Sequence, residues 1–555
     1  MSLLGLFDIG RSGIYANQKA LRVASNNIAN VNTPGYSRQD VVMQIANPVE
    51  LNGNYLGRGV GKIEIRRAFD GFIFYQILGQ SSSYGKSFSV DRGLSHVEQI
   101  FNEAQDFGLS NAMTDYFNAW QEVAANPHET AQRSMLLVKA EAFVNTARQM
   151  ENDLKNTLNF VNDEIKDVVD QVNVLTKNIA TVNGKIIEVE AGGVETANVF
   201  RDQRERMMKE LAELIDYDWY EDKDGSVSIV AGRGGIVAGV QSYELSTALT
   251  LEGDRNVYLG KTDITSFFHS GRLGGYVSLR DDIKSNPLLS LRKLVASIIE
   301  ETNYLHKSSA SRPTYDLDGN AGTDFFDAMK IYTRDDTTGG SGAVITSAEI
   351  YDHDPSVLAL NEYDITFADV SGTLNYQVRN HETGALVKQG AYTSGSNIDF
   401  NGIRVVITDG SSAPTVNDSF FISPLKDVIG NFKVAVTSGR QVAAAKSSSA
   451  LPGDNTNALD IIDKYSSQIS NLGTVTYEDY YAETVSTVGS LSQSASASLE
   501  FEDNLLFELK NRRESLSGVS LDEEAANLIR YQRAFEAGAR IIKLTDELLE
   551  MIINI

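Results

Sequence analysis

Both ends of the chain carry one apolar residue every seven. Phe7, Ile14, Leu21 and Ile28 recur at this interval near the start, and Leu521, Leu528, Phe535, Ile542 and Leu549 repeat it at the finish. A seven-residue apolar period winds helices around one another through a narrow seam. Two seams at opposite ends of 555 residues imply that the termini meet and that the rest is looped out between them. Taken alone, such stripes suit a buried core as well as an interface. A helix pair sharing one seam buries little area, however, and is marginal by itself in water. Glycines and polar residues at intervening positions (Gly10, Asn17, Gly538, Thr545) are expected to leave the seam under-filled. The ends should then order fully only when neighbours complete the packing. This is the plan of a subunit in an assembly.

Composition narrows the alternatives. A chain of this length exceeds one core, so three or four domains are expected. A formal charge of −25 opposes binding to nucleic acid and to anionic membrane surfaces. With no cysteine, disulfides, zinc–thiolate sites and thiol catalysis are excluded. The N-terminus has no basic segment followed by an apolar core, so it is not a conventional secretory signal. No apolar run reaches membrane-spanning length. This reads as a cytosolic protein unless it leaves by a route without a cleaved signal.

Along the chain, residues 3–31 read as a helix ended by Thr33-Pro34-Gly35-Tyr36, where Pro34 and Gly35 suit the two central positions of a type II turn. Residues 37–80 read as extended and 88–215 as helical. Leu158, Val161, Ile165, Val168, Val172, Leu175, Ile179, Val182, Ile186 and Val189 alternate three- and four-residue steps. They make a coiled-coil seam of about 47 Å. Its expected partners are helices at 95–150, 286–307 and 475–515, and Gly192-Gly193 stops it. Segments 216–280 and 313–432 read as β-rich insertions, and Ala443–Gly453 as a linker back into helix. Ser520 and Glu523 have capping-box spacing, with Asp522 and Glu524 adding charge that the dipole favours, for a last helix running to Ile555.

No catalytic or metal constellation emerges. The histidines (His96, His128, His269, His306, His353, His381) lack metal-ligand spacing and read as surface or capping residues. Asp316, Asp318, Asn320 and Asp324 have the oxygen spacing of a calcium loop, but Ala321 and Asp327 stand where glycine and a bidentate glutamate belong. A side-chain-bonded turn is the plainer reading. Gly57–Lys62 and Gly232–Gly235 read as hairpin turns, since neither leads from strand to helix with phosphate-loop spacing. No enzyme, cofactor or metal is expected.

Certain residues carry a family resemblance. Ser25-Asn26-Asn27-Ile28-Ala29-Asn30-Val31-Asn32-Thr33-Pro34-Gly35-Tyr36-Ser37-Arg38-Gln39 resembles the N-terminal signature of bacterial flagellar rod, hook and hook-associated proteins. Ser517–Ala525 and Leu528-Ile529-Arg530-Tyr531-Gln532 resemble the C-terminal signature of the hook-associated members. Val172-Asn173, Leu175, Ile179-Ala180, Asn183, Asn126-Pro127, Arg133, Asp316–Phe326 and Gly453-Asp454-Asn455 extend the likeness.

The resemblance implies an α+β, multidomain axial subunit at the hook–filament junction. It would be exported through a type III channel, held before export by a cytoplasmic chaperone at its C-terminal helix, and assembled as a ring between hook protein and the next junction protein. Its terminal helices would form an axial core (1–45 with 516–555). A helical rod (46–215, 281–312 and 433–515) would carry a small β insertion (216–280) and an outer β domain (313–432). Asn26, Asn27, Asn30 and Tyr531 join the terminal seam residues in the expected assembly interface. A hook or distal-rod subunit, and a secreted adhesin with ligand-binding β domains, remain alternatives.

Overall fold

The computed structural model of the chain describes residues 3–51, 54–102, 108–192, 196–337, 341–370, 372–416 and 418–554. Gly193, read from the sequence as part of the helix stop, and Ile555, read as the end of the last helix, lie outside these. Helix α1 (Leu3–Ala29) leads into strands β1 (Gln39–Ile45), β2 (Val49–Leu51), β3 (Asn54–Leu56) and β4 (Val60–Arg67). Helices α2 (Gly71–Phe101), α3 (Leu109–Ala125), α4 (Thr130–Glu190) and α5 (Asn198–Leu214) follow. Strands β5 (Asp218–Glu221), β6 (Val227–Ala231), β7 (Gly234–Ala238), β8 (Gln241–Ser242), β9 (Leu245–Leu249), β10 (Arg255–Leu259) and β11 (Thr262–Asp263) precede α6 (Gly271–Ile283) and α7 (Leu289–His306). Then come β12 (Tyr332–Thr337), β13 (Val344–Ile350), β14 (Tyr363–Val370), β15 (Thr373–Asn380), β16 (Leu386–Ala391), β17 (Asn397–Phe400), β18 (Ile403–Thr408) and β19 (Asp418–Ser423). Helices α8 (Val428–Asn431), α9 (Thr456–Ser466), α10 (Tyr477–Ser517) and α11 (Leu521–Ile553) complete the chain. The fold is α+β, as its patterning predicts. Two boundaries differ: 71–80 belong to α2 and 271–280 to α6, where the sequence reads extended chain and hairpins. Glycines scattered through both stretches mask the helical period.

The chain forms two compact units. The first comprises Met1–Gly93, Val161–Leu279 and Ser494–Ile555. Here β1 pairs antiparallel with β4, β5 to β8 form one antiparallel sheet, and β9 to β11 another. The α4 seam is buried at Val161, Ile165, Val168, Val172, Ile179, Val182 and Ile186. Leu175 and Val189 are half-buried, and Thr176 is buried in place of Leu175. A straight helix of 3.6 residues per turn drifts away from a 3.5-residue stripe.

The partners of this stretch also differ from the expected helices. Asn162 donates to Gly253 O at 2.9 Å and accepts from Arg255 N–H at 2.9 Å. Asn173 does the same for the N–H and C=O of Leu245, each at 2.8 Å. Asn183 donates to Val227 O at 2.7 Å and accepts from its N–H at 3.1 Å. The β hairpins are thus held to this half of α4 by asparagines. An apolar stripe does not encode whether helix or strand will cover it.

The second unit comprises Leu94–Phe160 and Arg280–Gln493. A five-stranded antiparallel sheet runs in the order β12-β19-β14-β15-β16 beside a three-stranded one, β13-β18-β17. Burial alternates along β14 and β18, which places one face of each strand inward. The helical part packs around rings: Tyr116 stacks on Phe143 at 5.9 Å, and Phe325 and Phe326 meet edge-on at 4.8 Å. Arg133 is buried with its guanidinium donating to Pro127 O and Val442 O. Asp316 closes its own loop by accepting from the N–H groups of Asp318 and Asn320 at 2.9 and 2.8 Å, while Asp318 pairs with Arg440. That is a bonded turn. Among the described residues no group of three or more acidic or histidine side chains is placed to hold a metal, and no helix is long and apolar enough to cross a membrane.

Two corrections concern this unit. His306 is wholly buried, not a surface or capping residue. Its Nδ1 lies 2.6 Å from Thr323 O, and its Nε2 accepts from Ala443 N–H at 2.8 Å. Ala443, Ala444 and Ala445, read as linker, are fully buried, because their small side chains let the returning backbone press against α7 and the 314–322 turn. Both findings follow from one buried crossing of chain segments.

Burial pushes the His306 imidazole down from 6.5 to about 4. Between these values the unfolded chain takes a proton that the folded chain refuses. Stability should therefore be fully present above pH 6.5 and fall as pH drops toward 4, by up to about 3 kcal/mol. Urea unfolding at stepped pH, comparing the native chain with His306→Gln, checks this. The variant should lose that part of the slope, and parallel pH profiles would count against it.

Candidate assembly surface

Helices α1 and α11 lie against each other along most of their length, in antiparallel sense: Gly10 meets Ile542, and Ile14 meets Gly538. The pair is close because two glycines face each other's neighbours. A Cβ on Gly10 would fall 2.9 Å from Ile542 Cγ1, and one on Gly538 would fall 3.0 Å from Ile14 Cγ1. The seam is therefore filled at these positions by backbone approach, contrary to the under-filled seam the sequence suggests. Thr545, also expected as a gap, is buried.

Apart from Asn27, the buried residues of α1 are Gly10, Ala16, Ala20, Val23 and Ala24. Of the heptad residues, Ile14, Leu21 and Ile28 are half-buried and Phe7 is exposed. On α11, Leu528, Tyr531, Phe535, Ile542 and Leu549 are half-buried and Leu521 is exposed. Gly10 and Gly538 take the line of nearest approach, and larger side chains lie on its flanks. A second apolar stripe on α11 faces outward: Ile541, Leu544, Leu548, Met551 and Ile552 are all exposed. Tyr15 on α1 is 61% exposed. Uncovered apolar side chains on two packed helices make a candidate interaction surface.

The base of the pair is fixed by polar bonds. Tyr36 N–H bonds Thr33 O at 3.2 Å and Gly35 has φ +81°, which closes the turn around Pro34. Asn27, fully buried, donates to Gln39 O at 2.9 Å and accepts from Gln39 N–H at 3.1 Å and from Tyr36 O–H at 2.7 Å. It serves the chain's own turn, so it is corrected from the expected contact surface. Asn26 and Asn30 are less buried, and Asn30 donates to Asn26 O at 2.9 Å. Ser520 caps α11 by accepting from Glu523 N–H. The Glu523 carboxylate does not complete a capping box, because Arg38 takes it at 3.0 Å.

Sequence reasoning missed the charged group beneath this turn. Arg67 lies between Asp202 at 2.7 Å and Glu205 at 2.5 Å, all three nearly buried. Burial alone would lower the guanidinium, yet Glu205 and Asp202 outweigh it and hold it above its ordinary value. Burial, with Asp202 beside it, pushes the Tyr36 phenol up to about 12. Residues so far apart in sequence give no local signal of pairing.

Removing the Asn27 amide leaves the N–H and C=O of Gln39 unpaired in a buried place. Asn27→Ala should cost about 2–3 kcal/mol. Hydrogen exchange at the Gln39 amide should quicken at least about tenfold, while Asn26→Ala leaves it nearly unchanged. Equal exchange in both variants would refute the assigned role.

Comparisons with known proteins follow this division of the chain. The family described as "Flagellar hook-associated protein FlgK helical domain" matches residues 94–326. "Flagella basal body rod protein" matches 7–36, which is α1 with its turn, and "Flagellar basal body rod FlgEFG protein C-terminal" matches 513–555, which contains α11. Flagellar hook-associated protein 1 of Escherichia coli is 28% identical over 99% of both chains. That of Bacillus subtilis is 24% identical over 100% of this chain and 98% of its own. The flagellar hook junction protein FlgK from Burkholderia pseudomallei shares the fold, with a TM-score of 0.68 over 80% of this chain and 100% of its own, at 17% identity. The chain is thus similar in sequence to flagellar hook-associated protein 1 from end to end, with family matches on the terminal helices and on the helical middle.

Proposed function

We propose that this chain is a structural subunit of the bacterial flagellum at the junction between hook and filament, assembling through α1 and α11. The observation that carries this reading is the outward apolar stripe of α11 beside the exposed Phe7 and Tyr15 of α1, on the two segments related to flagellar rod proteins. Those terminal matches alone would suit a hook or distal-rod subunit equally. The match over 94–326 and the full-length relatives favour the junction.

In this reading copies form a ring, with hook protein on one side and the next junction protein on the other. Phe7, Ile14, Leu21, Ile28, Leu521, Leu528, Tyr531, Phe535, Ile542 and Leu549 take part in the packing, and Asn26 and Asn30 lie at its rim. The chain would reach this place by type III export without a cleaved signal, with a cytoplasmic chaperone covering α11 beforehand. The division into an axial core (1–45, 516–555), a helical rod (46–215, 281–312, 433–515), a small β insertion (216–280) and an outer β domain (313–432) belongs to the same proposal. The role is mechanical, so no catalytic group is invoked.

Burying one leucine contributes about 1.5–3 kcal/mol, a factor of about ten to one hundred in affinity per contact. Leu544→Asp with Leu548→Asp should therefore abolish incorporation while the free chain keeps its fold, read by circular dichroism and by attachment of filaments to hooks. Deleting 521–555 should leave a soluble, cooperatively folded remainder that cannot join hooks. Normal filament attachment by either variant would sink the assignment.

A further inference from the structure

The loop of residues 351–362 links β13 to β14, and so joins the three-stranded sheet of the second unit to its five-stranded sheet. Its ends are anchored: Leu358 and Leu360 are buried, and Gly402 O accepts from the N–H groups of Tyr351 and Asp352 at 3.0 and 3.3 Å. Between these anchors the loop meets α7 through polar groups. His353 Nδ1 stands 3.1 Å from Glu300 Oε2, and Tyr304 O–H donates to Asp354 at 3.5 Å. The first pair is unequal in exposure. The Glu300 side chain is 1% exposed and that of His353 46%.

A carboxylate removed from water needs a countercharge. Among the described residues, His353 is the one cationic side chain at ion-pair distance from Glu300. The next residue of α7, Glu301, is buried too, but the ammonium of Lys464 on α9 reaches it at 3.0 Å. The charged groups around them are otherwise engaged. Lys307 at the end of α7 pairs with Asp324 at 2.9 Å, and Arg312 lies over the Tyr304 ring at 3.5 Å. Within the loop, Asp352 accepts from Asp354 N–H at 3.1 Å, and Asp354 from Ser356 N–H at 2.9 Å. One of two adjacent buried acids is thus balanced by an imidazole, the side chain whose charge ordinarily changes near neutral pH.

We propose that the Glu300–His353 pair is a pH-sensitive clasp, which ties the 351–362 loop to α7 while the imidazole is protonated and loosens it once that proton leaves. The exposed side of the ring lets the proton exchange with solvent. A neutral imidazole can still donate one N–H, but it no longer offsets the buried carboxylate. The Glu300 hydrogen bond, with its charge, holds the imidazole above the ordinary 6.5, against burial and Lys307. A proton held more tightly in the folded chain stabilises it fully below pH 6.5, and that stabilisation is lost as pH rises through the higher folded value. The dependence runs opposite to that of His306, which burial alone makes refuse its proton.

Two measurements on the full-length chain test the clasp. Histidine ring signals are titrated by nuclear magnetic resonance, with His353→Gln identifying the resonance. The His353 midpoint should lie above 6.5 and fall by about half a unit or more in Glu300→Gln. Hydrogen exchange of peptides spanning 351–362 is then compared at about pH 6 and about pH 8.5, corrected for intrinsic rates. Protection should drop at least about threefold in the native chain and stay level in His353→Gln. Circular dichroism verifies folding, and the surface variant His353→Gln decides the matter should Glu300→Gln fail to fold. A native midpoint at or below 6.5, an unmoved midpoint in a folded Glu300→Gln, or the same loss of protection in His353→Gln overturns the proposal.

Discussion

A buried peptide group must find a partner for its N–H and its C=O, and in this chain helix-borne asparagines repeatedly supply both at once. Asn27 clasps Gln39, Asn173 clasps Leu245, Asn183 clasps Val227, and Asn303 clasps Phe326, each taking the N–H and the C=O of the same residue. A carboxamide offers one acceptor and one donor side by side, so it pairs with a single extended residue as a neighbouring strand would. Extended segments are thereby fixed to helices without joining a larger sheet. The terminal pair depends on this as much as the middle does, because Asn27 sets the turn from which β1 departs.

The two terminal helices divide their surfaces by size. Gly10 and Gly538 take the closest contact between α1 and α11, which brings the two backbones near each other there. Leucine, isoleucine and methionine are left on the outer flank of α11. A helix pair built this way holds its own geometry while leaving several large apolar side chains uncovered. The buried Arg67–Asp202–Glu205 group beneath the turn suits the same end. Truncating one member would leave charge unpaired in a poorly solvated place, so the base resists rearrangement while the helices above stay available.

Much of this was legible before any coordinates. The terminal heptads, the Thr33–Tyr36 turn, the α4 stripe and the Ser520 cap depend on neighbours three to seven residues away, and their periods survive in the folded chain. The β-rich stretches were legible as regions, since β14, β15, β17, β18 and β19 carry apolar clusters, whereas the more polar β12, β13 and β16 were not separately read. Glycines hid the helical character of 71–80 and 271–280. His306 and Ala443–Ala445 were misplaced because their burial comes from segments more than a hundred residues apart meeting in space.

Sequence alone therefore determined where most of the helices run, where the first one turns, and that both ends carry apolar stripes, because backbone propensity and periodicity are local properties. The tertiary structure decided which side of each stripe is used up within the chain, what covers the second half of α4, and which amides and charges end up buried together. It also set His353 against the buried carboxylate of Glu300. Those outcomes rest on pairings between distant peptide groups and side chains, whose free energy appears only when the chain brings them into contact.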